Sequence, residues 1–567
     1  MTAIDPSNLK TEPRWRGRVA VLVLIVGTLL AMGRLCFNDF TWWDDWGTVH
    51  QNPWLQQPML QTIGHYWMTP AFGLYMPVTY MAWAGVAAIA HVQKDPSGIT
   101  LNPWLFHSTN VLCHLLAVLV AYRILRLLNA DLFASVCGAL LFGVHPIQVE
   151  AVGWVSGLKD VLSGLLALIA LWQYVCFALS DLRGRASLLR YFLATAAFML
   201  AMLAKPSVIA LPLAALAIDR WGVGRPWRKV FASAIAWTAI AIPIAGIARW
   251  AQDASNTSLP SLWLRPLIVC DSLAFYMGKL VWPMHLIVDY GRTPASVLRH
   301  GSCYWDWIFP VGAAALLIAG SRKRPVLLAA GAIFVAGCLP VLGFTPAMFQ
   351  FFSTTADHYL YLSMFGPALA LAWLLSVRPS FWLRAATVAI LLGWITLSIR
   401  QGAYWQNDYT LFEHDTEVNP DSYVGYLNLG GDYERSNNFA VALMDFQSAV
   451  RANPEYSTCW SNLATAYGEL GEIDQAIAAA RKSVELQVKY PNLRPNWPGD
   501  NEFLGHLLFT RGRYAEAIPY LQTAADAYPA EKRSATELND ARKRAATQPA
   551  TPSTSAAITP PSPSVDP

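Results

Sequence analysis

Long apolar runs separated by short polar turns fill the chain from residue 18 to about residue 400, and an amphipathic, polar-rich pattern follows. A helix needs roughly 17–25 mostly apolar residues to cross a bilayer. Runs of that kind predict spans at 18–36, 107–128, 131–145, 161–179, 190–204, 207–219, 229–249, 304–320, 325–343, 359–376 and 381–399. The stretch 76–92 lies between polar loops and reads as an interfacial helix along the membrane surface. After residue 400 a different period takes over. Tyr426, Leu429, Gly430, Tyr433, Ala442, Phe446, Ala449 and Pro454 follow the tetratricopeptide pattern, and Trp460, Leu463, Tyr467 and Ala476 repeat it. A third unit keeps Leu504, Gly505, Ala517, Leu521, Ala524 and Pro529 after an insertion around Pro495 and Pro498. Phe412 and Pro420 fit the tail of a preceding half-repeat.

The expected fold class is therefore all-α: a polytopic membrane helix bundle of about eleven spans, followed by a tetratricopeptide-repeat α-solenoid. The expected divisions are a cytoplasmic segment at 1–17, a membrane domain at 18–400, repeats at 401–535 and a disordered Thr/Ser/Pro-rich tail at 536–567. The tail's scarcity of large apolar side chains leaves it little surface to bury.

Composition agrees with a membrane location. The chain is 54% hydrophobic and only 14% charged, against about a quarter charged in soluble domains. A net charge of +4 spread along the sequence argues against nucleic acid as a partner. The eight cysteines show no CxxC or Cys/His spacing, so neither a disulfide framework nor a zinc site is expected. The N-terminal run follows basic residues and lacks a small-residue cleavage site, which reads as an anchor.

Charge also sets orientation. Lysine and arginine concentrate in cytoplasmic turns. With the N-terminus inside, one side collects Arg123 and Arg126, Arg183, Arg185 and Arg190, Arg220, Arg225, Arg228 and Lys229, Arg322–Arg324, and Arg378 and Arg384. The other side then holds Asp39, Asp44, Asp45, Glu150, Lys159, Asp160, Lys205, Lys279, Asp289, Arg292, Asp357 and His358, together with the repeats. Charges inside spans mark transport paths. Charges gathered at one surface suit chemistry where a lipid head group meets a water-soluble partner. Each group has a bland counterpart: Asp44-Asp45 as hydrated loop acids beside a tryptophan belt, Lys205 as a snorkelling cation, Glu150 to Asp160 as a salt-bridged loop.

Read in order, several stretches carry a likeness. They are Asp44-Asp45 with Asn52-Pro53; His107 through Asn110 and His114; His145-Pro146 through Val152; and Lys159-Asp160-Val161-Leu162. Ala204-Lys205-Pro206 with Leu211-Pro212 and Asp219 follow, then Tyr276, Lys279 and Trp282-Pro283, Ala356 through Leu362, and Trp405 through Phe412. From about residue 18 to residue 530 the chain resembles the transmembrane-and-tetratricopeptide-repeat O-mannosyltransferases and their bacterial relatives, within the glycosyltransferase-C superfamily. His358 departs from the arginine frequent among them, and the Lys159-Asp160 pair also varies.

The resemblance implies a polyprenyl-phosphate-linked sugar as donor, an acidic motif in the first outer loop that activates the acceptor, and inversion at the anomeric centre. In those terms Asp44 or Asp45 is the base. Lys205, helped by Lys279 or Arg292, holds the donor phosphate. Glu150, Lys159, Asp160, Asp357, His358 and Tyr359 orient the sugar, the base or an optional divalent ion. The partners implied are the lipid-linked sugar, membrane lipid and an acceptor protein bound by the repeats, and the setting is a bacterial inner membrane with the repeats in the periplasm. Competing readings keep the chemistry but give it an envelope glycan or lipid acceptor, make the chain a non-catalytic repeat scaffold, or, least favoured by the charge-free spans, make it a transporter.

Overall fold

The computed structural model describes residues 13–93, 100–129, 131–180, 184–252, 260–344, 348–490, 497–529 and 532–547. Among these residues the regular elements are all helices, with isolated β-bridges at Ala71–Leu74 and His91–Leu101. It divides into two compact units, at Asp432/Tyr433.

In the first unit, 8 helices are long and apolar enough to cross a membrane. They are Arg14–Phe37, Pro103–Leu128, Val155–Leu179, Arg185–Ala204, Pro206–Val223, Trp227–Ala251, Cys303–Gly320 and Phe381–Tyr404. Three expected spans take other forms. The run at 131–145 becomes Leu132–Val144, which bends by 47° into Pro146–Gly153. Pro146 sets that break, because proline keeps His145 out of the helical region. The runs at 325–343 and 359–376 become the shorter helices Pro325–Val341 and Phe365–Val377. The second starts late because Asp357–Leu360 form a separate tight turn.

The stretch expected as an interfacial helix forms Pro77–Ala90. At 14 residues it rises about 21 Å, less than the hydrocarbon core of roughly 30 Å. Its first turn packs on the end of Arg185–Ala204, where Thr79 Oγ1 donates to the Ala204 carbonyl at 2.8 Å. Small residues let the central helices approach closely, as in other membrane bundles. A Cβ on Gly366 would strike the Ala330 carbonyl, and one on Gly138 the Ala368 carbonyl.

The first unit extends beyond the expected boundary at residue 400. Helix Asp408–Val418 is capped by Asn407 and sets the fully buried Phe412 in this unit's core. Asp408 Oδ1 accepts the Trp42 N–H at 2.8 Å. The composition changes at 400, but packing carries the unit to 432.

The second unit contains helices Phe439–Ala452, Ser457–Glu469, Ile473–Lys489, Trp497–Thr510, Tyr514–Ala527 and Lys532–Ala545. The pattern positions Ala442, Phe446, Ala449, Leu463, Ala476, Leu504, Ala517, Leu521 and Ala524 are all buried. Gly505 is small where the Leu521 side chain arrives from the paired helix. The last helix corrects the expected start of the tail at 536. It continues to Ala545 because Leu538 and Ala541 bury their side chains and Glu537 meets His506. The remainder of the expected tail, from 548, and the insertion at 491–496 lie outside the described residues.

Candidate active site

The two adjacent aspartates have opposite environments. Asp45 is fully buried. Its Oδ2 accepts the Thr41 N–H at 3.2 Å and the Thr41 hydroxyl at 3.0 Å, and its Oδ1 accepts the Ser156 N–H at 2.8 Å. It ties the loop after helix Arg14–Phe37 to the turn ahead of helix Leu158–Leu179. Asp44 has a side chain 45% exposed, with the Lys159 ammonium 3.6 Å away. The surrounding protein pushes its carboxyl above the usual value, Lys159 draws it down and the neighbouring Asp45 raises it. Asp44 is thus both accessible and closely neighboured by charge. Of the two expected bases, Asp44 is the one a substrate can reach.

Lys159 and Asp160 are consecutive in the first turn of their helix, about 100° apart around its axis, and they face different partners. Lys159 turns to Asp44 and lies 4.3 Å from the centre of the Trp154 ring. Asp160 accepts Lys205 Nζ at 2.5 Å, with both side chains largely buried. Its other oxygen, Oδ2, is buried with no hydrogen-bond partner. Lys205 has extended backbone between helix Arg185–Ala204 and Pro206, and its ammonium lies 5.6 Å from the Tyr359 ring centre.

Glu150 joins this group from the short helix Val149–Gly153. Its Oε1 is 2.5 Å from His358 Nδ1, and its Oε2 accepts the Asp357 N–H at 3.0 Å. Burial lowers the His358 imidazole to about 3, with Lys205 and Lys159 adding to the effect against Asp160. The ring is therefore neutral, unlike the arginine it replaces in the resemblance. The Asp357 carboxyl accepts the Tyr290 hydroxyl at 2.9 Å, and burial and then Glu150 push it well above its usual value.

The two expected helper cations are already engaged. Lys279 donates to the carbonyls of Met284 at 2.7 Å and His285 at 2.9 Å, within electrostatic reach of Asp357. Arg292 pairs with the buried Asp271 and covers the Phe275 ring. The structure thus brings together Asp44, Lys159, Asp160, Lys205, Glu150, Asp357, His358 and Tyr359, with Lys279 at the margin and Arg292 behind it. Among the described residues, no three His, Cys, Asp or Glu side chains gather as a metal site. Two histidines of helix Pro103–Leu128 serve the scaffold: His107 bonds the Asp39 carbonyl, and His114 bonds Tyr361 and the Gly143 carbonyl.

Sequence reasoning gave no role to Ser156, Trp154 or Tyr290. Trp154 stands at the edge of the stretch that begins at His145, and its aromatic ring five residues before Lys159 was the available signal. The Ser156 contact is made by a backbone N–H and has no side-chain signature.

Comparison with known proteins follows the same division. The tetratricopeptide repeat family matches residues 427–492 and 502–538. The chain is 23% identical over 481 residues to protein O-mannosyl-transferase F38B6.6 of Caenorhabditis elegans, covering 80% of this chain and 66% of that one. It is 25% identical over 482 residues to Tmtc3 of Drosophila melanogaster, covering 70% and 51%, and 23% identical over 435 residues to human TMTC3, covering 66% and 45%. The alignments thus span about half to two thirds of these relatives' length. Among solved structures, ArnT of Cupriavidus metallidurans bound to undecaprenyl phosphate aligns at 15% identity and TM-score 0.36, covering 82% of this chain and 80% of that one. The Archaeoglobus fulgidus oligosaccharyltransferase AglB aligns at 13% and 0.38, covering 73% and 59%. Structural alignments that loose carry no weight for the site. The sequence is similar to protein O-mannosyl-transferases through most of its length and carries tetratricopeptide repeats in its C-terminal unit.

Proposed function

We propose that this chain is a membrane glycosyltransferase that moves a sugar from a polyprenyl-phosphate-linked donor to a hydroxyl, that of a serine or threonine in an acceptor protein. The observation that carries the reading is Asp44: an accessible carboxylate 3.6 Å from Lys159, beside the buried group formed by Asp160, Lys205, Glu150 and Asp357. The relatives' names supply the reaction class.

The steps assign each group one task. Asp44 removes the acceptor hydroxyl proton as the oxygen attacks the anomeric carbon, a general-base role. The bond from that carbon to the phosphate oxygen breaks, and its electron pair leaves with the polyprenyl phosphate. Attack opposite the leaving group inverts the centre. Phosphate leaves without a proton, so cations replace the general acid that glycosidases need. An ammonium has three N–H donors and Asp160 engages Lys205 once, so Lys205 also serves the phosphate. Asp160 Oδ2 offers an acceptor to a sugar hydroxyl, and Glu150 with Asp357 fixes the turn that carries His358 and Tyr359. In this reading the site and the repeats face away from the cytoplasm, in the periplasm of a bacterial inner membrane, and the repeats hold the acceptor.

Replacing the gene with an Asp44→Asn version tests the assignment. Mass spectrometry of envelope proteins should then lose its hexose-bearing Ser/Thr peptides, with transfer reduced about 10²–10⁴-fold. Unchanged occupancy would overturn the catalytic role of Asp44.

A further inference from the structure

Between helices Arg265–Val281 and Pro294–His300 the chain has no regular secondary structure, yet Leu286, Ile287, Val288 and Asp289 are buried. Buried irregular backbone must find partners for its N–H and C=O groups, and this strap finds them on widely separated elements. Lys279 caps the carbonyls of Met284 and His285. Gln401 donates to the Leu286 carbonyl at 3.0 Å, and Asn419 to the Asp289 carbonyl at 2.9 Å. The Thr354 N–H donates to the Arg292 carbonyl at 2.7 Å.

The strap's centre is a knot of two carboxyl groups. The Ser422 hydroxyl lies 3.0 Å from Asp289 Oδ2 and 2.6 Å from Asp415 Oδ2, while Asp289 N–H donates to Asp415 Oδ1 at 2.9 Å. Ser422 Oγ also accepts the Gly425 N–H at 2.9 Å. A hydroxyl has one hydrogen to give and two lone pairs. All three contacts are satisfied when Asp415 is protonated and donates to Ser422, which donates in turn to Asp289. One residue further on, the Tyr290 hydroxyl donates to Asp357 Oδ1 at 2.9 Å. Its ring packs edge-on against Phe275 and lies 5.0 Å from the Lys279 ammonium.

We propose that Tyr290 is a positioning residue for sugar transfer, holding the Asp357 carboxyl group in place, and that the Asp289–Ser422–Asp415 knot anchors the strap that presents it. The role rests on the glycosyltransferase reading of the site, whereas the anchoring is mechanical and can be measured without turnover. The groups facing Asp357 are Glu150, Lys279, Tyr276 and Tyr290, with Arg292 behind Lys279. Of these, the Tyr290 hydroxyl is a hydrogen-bond donor that favours the carboxylate. Tyr290→Phe keeps the ring and removes that donor.

The experiment uses the full-length chain in nanodiscs, with tritiated mannosyl undecaprenyl phosphate as donor probe and a Ser/Thr-rich peptide as acceptor. With wild type active and Asp44→Asn inactive, Tyr290→Phe should lower kcat about tenfold, the worth of one hydrogen bond to a charged group. The peptide KM should stay unchanged, and the acid limb of the pH profile should move to higher pH. A loosened scaffold would lower the rate without moving that limb. Wild-type kcat and an unmoved limb in Tyr290→Phe would overturn the inference while leaving the function standing. An inactive wild type would count against the function, and hydrogen exchange then decides the inference. Ser422→Ala should speed exchange at residues 354–358, and unchanged exchange there would overturn the anchoring.

Discussion

The two units use charge in opposite ways. In the first, Lys205–Asp160 is a largely buried pair of 13% and 7% side-chain exposure that joins residues 45 positions apart. In the second, Lys482–Glu485 is a local pair of 39% and 64% exposure, and Lys489–Glu455 links successive repeats at the surface. Exposed pairs contribute little to stability. Buried pairs are costly to assemble and costlier to break. The first unit has gathered its charges for a site, and the second is held by its apolar stitching.

Removing one partner at a time sharpens that contrast. Lys205→Met leaves Asp160 buried without its counter-ion and should destabilise the first unit by about 3–5 kcal/mol, read as a lower unfolding temperature in detergent. A drop under about 1 kcal/mol, the range of surface pairs, would erase the distinction. Leu521→Ala opens a hole against Gly505 and should cost the repeats about 2–5 kcal/mol, measured by denaturant unfolding with helix content as the signal.

A pH effect is built into the first unit. Burial and the neighbouring Asp289 raise the Asp415 carboxyl to about 7. The folded state therefore binds this proton more tightly than the unfolded chain, and the stabilisation is complete at low pH and fades as pH rises through about 7. Protection factors across 284–292, taken relative to the base-catalysed intrinsic exchange rate, should be lower at about pH 8 than at about pH 6, on either side of that midpoint, and Asp415→Asn should flatten the difference. Protection factors independent of pH in the wild type would show that the carboxyl titrates elsewhere. The smallest effect is expected for Lys482→Ala, about 0.5 kcal/mol or less; a loss of several kcal/mol in denaturant unfolding would mean the repeats also depend on charge.

Much of this architecture was legible in the chain. Apolar run length located the helices, and the recurrence of small and large apolar residues located the repeats. The acidic and basic residues of the loops were visible in the sequence, but their pairing was not. Asp44 and Asp45 look equivalent in sequence, and what separates them is a backbone N–H at Ser156, 111 residues away from Asp45. Asp289 stands out in the sequence as a loop charge, yet its partner Asp415 lies 126 residues later, beyond any local pattern. The boundary at 400 followed a real change in composition, which does not register that Asp408 reaches back to Trp42.

Those long-range bonds have a consequence for biosynthesis. Asp408 holds the loop that bears Asp44, and Asp415, Asn419 and Ser422 hold the strap beside Asp357. Every helix that bears the clustered charged side chains is translated before these four residues leave the ribosome. The cluster is therefore completed late in synthesis, after the last long apolar helix has been made, and a nascent chain halted near residue 400 carries Asp44 and Asp357 without the residues that hold their loops.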